Sequence, residues 1–294
     1  MIKQFDYALI TPARNEEAYI GKTIQSIISQ TIVPKKWIIV SDGSTDRTEE
    51  IVKKYASVYN FIHMVKTNAD ADRNFSSKVK AIKTGVEKLN NTKYQFIGNL
   101  DADISFEPHY YESIIKKFHQ NDKLGIAGGI INDMVDVENI RRLVSTSWSV
   151  SGGIQLFRRQ CYDDIGGHFP LKRGGEDAIA EVMARMHGWE VKTYPDIKVL
   201  HHRRTGTAQE NILLSKFNLG LRDYSIGYHP LFEVSRCMWR MMEKPYILGS
   251  SLRICGFIWA FLQREKRALP GDIIRYLRRE QLKRLSSTFS NGIN

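Results

Sequence analysis

Apolar runs that alternate with helical patterns through the first 130 residues most limit what this chain can fold into. Each run is short and continuously apolar, and each is followed by a segment with apolar residues at helical spacing. This alternation is typical of a mostly parallel sheet that helices cover on both faces. The sequence therefore predicts an α/β fold, with the strand order left open. The predicted strands are residues 7–10, 37–40, 61–65, 94–100 and 124–128, and the predicted helices are 17–30, 48–59, 78–89 and 108–120.

The pattern changes after residue 131. Residues 152–157 predict a further strand, 176–188 a helix and 191–200 an extended segment. The charge also becomes uneven. Residues 1–200 contain 27 Lys and Arg against 25 Asp and Glu, whereas residues 201–294 contain 16 against 7. The last third therefore carries most of the net charge of +11, which indicates an anionic partner such as a membrane surface, a phosphate-bearing substrate or nucleic acid.

Two helices are predicted in the last third. Residues 246–262 are strongly apolar but contain Arg253, and the run is shorter than the roughly 20 residues of a membrane-spanning helix. Residues 273–285 predict a basic amphipathic helix that either lies in a membrane interface or packs on the rest of the protein. The N-terminus predicts no signal peptide, and three scattered cysteines indicate a reducing compartment. We therefore expect a cytoplasmic protein, with a peripheral position at the inner face of the cell membrane as the membrane-bound alternative.

Paired carboxylates follow the predicted strand at residues 94–100. Asp101-Ala102-Asp103 would emerge at its carboxyl end, the edge at which open α/β sheets bind ligands. Two carboxylates there suit a hard divalent cation, which in turn can hold a diphosphate. This motif points to nucleoside-diphosphate chemistry.

Three other loops carry polar residues suited to the same edge. Residues 11–17, Thr-Pro-Ala-Arg-Asn-Glu-Glu, follow the first strand, and Ser41-Asp42-Gly43-Ser44 follows the second. Asp42 can accept hydrogen bonds from a base or ribose. Gly174-Gly175 places Glu176-Asp177 at a helix start, where the helix dipole favours the ionised form and an ionised carboxylate can act as a general base. Each loop is also explained by turn formation and helix capping.

Together these motifs resemble the family 2 glycosyltransferases of the GT-A fold, across about residues 5–205. The resemblance implies a nucleotide-sugar donor and a Mg²⁺ or Mn²⁺ cofactor. Asp103 would bind the metal directly, His201 (or alternatively His202) would complete its shell, and Asp101 would contact the ribose or sugar. The donor-binding residues implied are Pro12, Ala13, Arg14, Glu16, Asp42, Arg73, Lys78, Asp101, Ala102 and Asp103.

The resemblance also implies an acceptor side and a division of the chain. Gly153, Gln155 and Glu176 would bind the acceptor, and Asp177 would be the catalytic base. Residues 1–205 would form the catalytic domain, with a nucleotide-binding half at about 1–105 and an acceptor half at about 106–205, and residues 206–294 would form a helical C-terminal extension. The Q-x-x-R-W motif of processive synthases is absent from the sequence, so we expect transfer of a single sugar. The resemblance implies that this transfer inverts the anomeric configuration. From the expected cytoplasmic and membrane-facing location we expect a saccharide acceptor that is lipid-linked, in surface polysaccharide assembly.

Three other functions compete with this one. A polyprenyl-phosphate glycosyltransferase would have an anionic acceptor and need no base. A nucleotidyltransferase would normally have a glycine-rich phosphate loop near the N-terminus, and residues 11–17 contain no glycine. A nucleic-acid-binding protein would fit the basic last third, but the aromatic residues there lie mainly in apolar runs, so we expect no nucleic-acid partner.

Overall fold

The computed structural model describes residues 5–67, 75–134, 140–142, 147–203 and 212–291. The chain folds into two compact units. The first comprises Met1–Lys172 and Glu176–Thr205, and the second comprises Arg173–Gly175 and Gly206–Asn294.

The first unit is built on one sheet. Among the described residues its strands are β1 (Tyr7–Ala13), β2 (Lys36–Asp42), β3 (Ile62–Thr67), β4 (Phe96–Asn99), β5 (Ile104–Phe106), β6 (Leu124–Met134), β7 (Ile140–Arg142), β8 (Leu156–Arg158) and β9 (Glu190–His201). Its helices are α1 (Ile20–Ile28), α2 (Thr48–Ala56), α3 (Phe75–Glu87), α4 (Tyr110–Gln120), α5 (Arg159–Asp164) and α6 (Glu176–Met186).

The central strands are apolar because helices cover both faces of the sheet. Tyr7, Leu9, Trp37 and Phe96 are almost completely buried in one continuous core. Trp37 also donates its indole N–H to the hydroxyl of Thr11 at 2.9 Å, so the polar atom of this large core residue has a partner. The apolar runs of the sequence thus fill the space between sheet and helices.

The strand order is β3-β2-β1-β4-β8-β6-β9-β5, with β7 beside β6. β3, β2, β1 and β4 run parallel, and β6 and β9 also run parallel. The short strands β5, β7 and β8 pair antiparallel. The predicted α/β fold with a mostly parallel sheet is confirmed, and the carboxyl ends of β1, β2 and β4 meet at one edge.

The region from 152 to 158 differs from its prediction. The sequence indicated one strand over 152–157, but Gly152–Ile154 forms a single 3-10 turn and only Leu156–Arg158 forms β8. The turn bonds to the end of β4 through three donors. The Asn99 side-chain amide donates to the Gly152 carbonyl at 2.8 Å, the Asp101 amide to the Gly153 carbonyl at 3.0 Å, and the Asn99 amide to the Gln155 carbonyl at 2.9 Å.

The second unit is helical. Its described helices are α7 (Ile212–Ser225), α8 (Pro230–Trp239), α9 (Tyr246–Leu262) and α10 (Gly271–Asn291). α7 and α9 touch backbone to backbone: a Cβ on Gly220 would lie 2.0 Å from the Arg253 carbonyl oxygen, and a Cβ on Gly256 would lie 2.1 Å from that of Phe217. Only glycine permits this approach, because any larger residue would clash with backbone atoms, which cannot rotate away as a side chain can.

A cluster of charged side chains is buried where α7, α8 and α9 meet. Asp223 is fully buried, and its carboxylate accepts hydrogen bonds from Arg222 at 3.1 Å, Arg236 at 2.6 Å and Arg253 at 2.5 Å. Glu233, also buried, accepts from Arg253 at 3.0 Å and from Arg236. Burial alone would raise the pKa of Asp223, but the three guanidinium groups outweigh burial and lower it.

The apolar face of the basic helix α10 is buried against other residues of the second unit. Ile273 and Leu277 are buried, Gln281 accepts a hydrogen bond from the His229 amide at 2.8 Å, and Arg278 donates to the Gly227 carbonyl at 2.8 Å. Of the two roles that the sequence left open for this helix, these contacts favour packing. In the parts of the chain that are described, no helix is both long and apolar enough to span a bilayer.

Candidate active site

The loops that follow β1 and β2 hold each other in place. Asn15 adopts a left-handed φ of 56°, and its side-chain oxygen accepts a hydrogen bond from the Thr45 amide at 2.8 Å. The Glu16 amide donates to the Thr48 hydroxyl at 2.7 Å, and the Glu17 amide donates to Asp46 at 3.0 Å. The capping and turn residues of these loops therefore fix the rim of the sheet edge.

A cavity of about 340 Å³ opens at this edge. The loop after β1 contributes Pro12, Ala13, Arg14 and Glu16 to its wall, and the end of β2 contributes Asp42. An Arg14 guanidinium nitrogen lies 4.0 Å from an Asp42 carboxylate oxygen, and Asp42 also accepts a hydrogen bond from Thr67 at 3.2 Å.

The loop after β4 supplies Asp101, Ala102 and Asp103 to the same cavity. Lys78 of α3 also lines the cavity and donates to Asp101 at 2.8 Å. Burial by itself would lower the pKa of Lys78, but the nearby carboxylates of Asp101, Glu176 and Asp177 outweigh it and raise the pKa. The neighbouring carboxylates therefore favour the charged form of Lys78 in the cavity wall.

Asp103 is brought beside His201 by the pairing of β5 with β9, in which Ile104 lies opposite His201. The His201 Nε2 atom is 3.3 Å from an Asp103 carboxylate oxygen, and the Arg203 Nε atom is 3.5 Å from the same oxygen. Burial would raise the pKa of Asp103, but the hydrogen bond from His201 and the charges of His201 and Arg203 lower it.

His202 points elsewhere. Its Nε2 atom lies 3.0 Å from the Ser105 hydroxyl, and its ring stacks on Tyr19 at a centroid distance of 6.1 Å. Of the two adjacent histidines, only His201 has its ring nitrogen against Asp103. Arg73, which the resemblance assigns to donor binding, lies outside the described residues. So does Arg204, which like Arg203 is a cation that could assist a diphosphate.

Glu16 is the most perturbed carboxylate of this cavity. Its pKa is raised to about 7, chiefly by burial, and the nearby charges of Asp103 and Asp101 add to the rise while Arg203 opposes it. Arg203 forms an ion pair with Glu16 and also lies beside Asp103, so one guanidinium group links the β1 loop to the β4 loop.

Few metal-binding side chains converge on the cavity. The described residues contain no group of three or more His, Cys, Asp or Glu side chains placed to hold a metal. Asp103 and His201 do provide one carboxylate oxygen and one imidazole nitrogen in contact. Two such donors fit a Mg²⁺ or Mn²⁺ ion whose remaining ligands are diphosphate and water oxygens, since Mg²⁺ typically binds through one or two carboxylates and substrate phosphates.

Two successive glycines allow two acids to approach the 3-10 turn. A Cβ on Gly152 would lie 2.6 Å from an Asp177 carboxylate oxygen, and a Cβ on Gly153 would lie 2.6 Å from an Asp101 carboxylate oxygen. The turn thus joins Asp101, on the wall of the cavity, to Asp177, at the start of α6. Gly153 itself is buried.

We expect Gly152→Ala to lower kcat without unfolding the protein. The new methyl group would lie 2.6 Å from an Asp177 carboxylate oxygen and 2.8 Å from the Asp177 Cβ, so the carboxylate has to rotate and the start of α6 has to shift slightly. A misplaced catalytic group can cost roughly 10²-fold in rate. Steady-state kinetics with the preferred donor would measure the change. Gly21→Ala, in α1, is a suitable control because a Cβ there comes no closer than 3.9 Å to the neighbouring Ile51 side chain. Unchanged kcat in Gly152→Ala would show that the position of Asp177 is unimportant.

Gln155 lies behind the turn, where it has no exposed surface. Its side-chain amide donates to the Val150 carbonyl at 3.3 Å, to the Asp177 carbonyl at 3.3 Å and to Glu181 at 3.2 Å. Through these contacts Gln155 holds the 3-10 turn to the start of α6. Because its side chain is fully buried, an acceptor has no access to it in this structure. Glu176 is also buried, and burial raises its pKa against the opposing charge of Lys78.

The sequence did not single out Glu181. Glu181 accepts a hydrogen bond from the Val150 amide at 2.6 Å, and burial raises its pKa to about 7. Its position one helical turn after Asp177 was the available signal. Ser77 and Ala81 line the cavity with Lys78. All three lie in residues 73–81, the segment that resembles the basic donor segment of the family.

A parallel first half of the sheet, a mixed second half and an acid-lined cavity at the strand ends are the features of the GT-A fold. The family model described as Glycosyl transferase family 2 matches residues 8–179. The chain belongs to this family, as the sequence motifs indicated.

Curated relatives match only parts of the chain. The chain is 33% identical over 119 residues to 4,4'-diaponeurosporenoate glycosyltransferase of Staphylococcus aureus (strain bovine RF122 / ET3-1). The matched region covers 40% of this chain and 29% of that protein. The chain is 25% identical over 199 residues to poly-beta-1,6-N-acetyl-D-glucosamine synthase of Staphylococcus epidermidis, with 62% and 46% covered. The chain spans less than half the length of these two relatives.

Solved structures share the fold. S. aureus TarS 1-349 in complex with UDP-GlcNAc superposes with a TM-score of 0.56 at 17% identity, covering 94% of this chain and 82% of that one. The mannosyltransferase PcManGT from Pyrobaculum calidifontis, in complex with GDP-Man and Mn²⁺, gives a TM-score of 0.56 at 15% identity, with 89% and 76% covered.

Proposed function

We propose that this protein is an inverting glycosyltransferase that moves one sugar from a UDP- or GDP-linked donor to a hydroxyl of a saccharide acceptor. The acceptor would be lipid-linked, and the step would belong to surface polysaccharide assembly. The observation that carries the proposal is the turn at Gly152-Gly153, on which the donor-side Asp101 and the base candidate Asp177 converge. The family membership and the cavity support the same assignment.

Each end of the donor has candidate partners in the cavity. Asp42 lies at the strand end expected to meet the base or ribose, and Lys78 and Arg203 are cations suited to a diphosphate. A divalent ion held by Asp103 and His201 would supply further neutralisation of the diphosphate charge. The two neighbouring structures with UDP-GlcNAc and with GDP-Man and Mn²⁺ are consistent with this use of the fold.

Asp177 would accept the proton of the acceptor hydroxyl. The hydroxyl oxygen then bonds to the anomeric carbon from the face opposite the diphosphate, while the bond between that carbon and the phosphate oxygen breaks. The electron pair leaves with the nucleoside diphosphate, and the configuration at the anomeric carbon inverts. A polyprenyl-phosphate acceptor remains the alternative, because its oxygen is already anionic and needs no base.

A donor screen would test the function directly. The protein is incubated with UDP-glucose, UDP-N-acetylglucosamine, UDP-galactose or GDP-mannose, in Mg²⁺ or Mn²⁺, and released nucleoside diphosphate is measured with and without lipid-linked saccharide extracts. We expect release with one nucleotide class and stimulation by acceptor. Absence of release for every donor, with and without the extracts, would contradict the proposal.

Asp103→Ala should abolish metal-dependent donor binding. The change removes the carboxylate that contacts His201, leaving one protein donor for the ion. Calorimetric titration with UDP or GDP, with and without Mn²⁺, should show that Mn²⁺ strengthens binding to the unchanged protein but not to the variant. Asp196→Ala, at an exposed position of β9, is the control. A variant whose affinity still rises with Mn²⁺ would rule out Asp103 as a ligand.

A further inference from the structure

Helix α9 has its polarity reversed relative to a helix of a water-soluble protein. Its one charged residue, Arg253, faces inward and is buried against Asp223 and Glu233. Across the whole of α9, which is fully described, the outward face carries no charge. It presents Ile247, Leu248, Ile258, Trp259, Phe261 and Leu262 to solvent, each more than half exposed except Ile258 at 48%. This uncharged face extends for about 25 Å at the rise of an α-helix.

The turn between α8 and α9 continues the same apolar surface. Trp239, at the end of α8, is 80% exposed, and Met242, in the turn, is 83% exposed. Monomeric soluble proteins rarely expose an apolar surface as long as this face of α9 together with the turn. Such a surface usually marks a contact with another protein or with a membrane. We call this surface, residues 238–248 with the outward face of α9, the apolar ridge.

Cations stand at both ends of the apolar ridge. Arg240 and Lys244 flank the turn against a single acid, Glu243, and all three are exposed. Arg264 and Lys266 follow the other end of α9 and are also exposed, whereas the adjacent Glu265 is paired with Arg173. Apolar and aromatic side chains between cations match the hydrocarbon boundary and anionic head groups of a bilayer. A two-fold pairing of two ridges would instead bring cationic ends onto cationic ends.

The α7–α9 contact is of a kind that also suits a lipid setting. Gly220 and Gly256 let the two helix backbones touch, so the pair is held by close packing and by buried ion pairs. Close packing of small residues is how helices associate where lipid removes the hydrophobic drive between them. The second unit can therefore keep its structure with the apolar ridge in contact with lipid.

We propose that the second unit binds the surface of an anionic lipid bilayer through the apolar ridge, with α9 lying in the plane of the interface. This assigns the membrane contact to α9 and the α8–α9 turn, whereas the sequence had directed attention to the basic helix α10. The inference rests on the exposed surface of the second unit and not on any catalytic step of the proposed function.

Cys255 provides a reporter at the centre of the ridge. It is exposed on the outward side of α9, whereas Cys161 and Cys237 are buried. The full chain is labelled at Cys255 with an environment-sensitive fluorophore and mixed with vesicles of phosphatidylcholine, with or without phosphatidylglycerol. We expect a blue shift of emission and quenching by spin-labelled lipid, both stronger with phosphatidylglycerol. No change with either vesicle would overturn the proposal, whatever the outcome of the donor screen.

Variants separate the apolar and charged contributions. Ile258→Gln with Leu262→Gln adds no charge and should weaken vesicle partitioning at least about tenfold, because two exposed side chains lose their burial in lipid. Arg240→Gln and Lys244→Gln should each reduce the preference for phosphatidylglycerol about fivefold. Val58→Gln, at an exposed valine of the first unit, should partition like the unchanged chain.

Sedimentation of the unlabelled chain completes the test. A monomer at all concentrations is expected without vesicles. A dimer, together with a blue shift that depends on protein concentration and not on lipid, would show that the ridge is an interface between copies and would overturn the proposal. Vesicle binding by the Ile258→Gln and Leu262→Gln variant equal to that of the unchanged chain would also overturn it.

Discussion

Asp177→Asn is expected to lower kcat by about 10²–10⁴-fold, the usual contribution of a general base, while donor binding is retained. Asparagine keeps the size of the side chain beside Gly152 but cannot accept the proton of an acceptor hydroxyl. Single-turnover measurement of sugar transfer, with calorimetric titration of the donor, separates the two effects. Loss of donor binding together with turnover would point to a structural defect.

Two further variants sharpen this result. Glu176→Gln tests the neighbouring acid, and Asp196→Asn makes the same chemical change at an exposed site of β9. We expect Asp196→Asn to retain full activity. Full transfer by Asp177→Asn to a polyprenyl phosphate would instead select the alternative function, since that acceptor is anionic without a base.

Asp223→Ala is expected to destabilise the second unit by about 3–5 kcal/mol, the usual cost of removing one partner from a buried ion pair. The fully buried carboxylate accepts hydrogen bonds from Arg222, Arg236 and Arg253, and without it their charges lose this partner. Hydrogen exchange of α7, α8 and α9 amides would report the loss within the unit itself. Glu243→Ala removes an acid from an exposed ion pair and should cost only about 0–1 kcal/mol.

The contribution of Asp223 to the stability of the second unit should decrease in acid. Because the folded-state pKa of Asp223 lies below its ordinary value, its contribution is fully present above the unfolded pKa, about 3.9, and is lost as the pH falls through the folded pKa. Amide protection in α7–α9 should therefore decline in acid more steeply for the unchanged chain than for Asp223→Ala. Parallel pH profiles for the two proteins would argue against an ionised Asp223.

Local pattern was enough to predict the sheet edge. The apolar runs at residues 7–10 and 37–40 correspond to β1 and β2, and the apolar run at residues 246–262 corresponds to α9. Acids that directly follow strands also meet at one edge, because parallel strands end there together. Asp42, Asp101 and Asp103 therefore line one cavity, as their positions in the sequence indicated.

Contacts between segments that are far apart in the chain could not be predicted from the local sequence pattern. β5 has three residues, too few for a period to show, yet its pairing with β9 brings His201 to Asp103. The segment Gly152–Ile154 forms a turn that packs against the end of β4 and against Asp101 and Asp177. None of these neighbours is adjacent to the segment in the chain. The apolar periodicity of α10 likewise could not show whether other helices cover that face.

The absence of side chains at Gly152 and Gly153 also limits where this protein can be redesigned. Any substituent at either glycine takes the space of a carboxylate, so a library randomised there would mainly return proteins in which Asp177 or Asp101 is displaced. Arg14, Ser77 and Ala81 border the same cavity without standing against those acids in this way. Altered sugar preference, in the laboratory or through natural divergence, is therefore to be sought by varying that wall and leaving the turn unchanged.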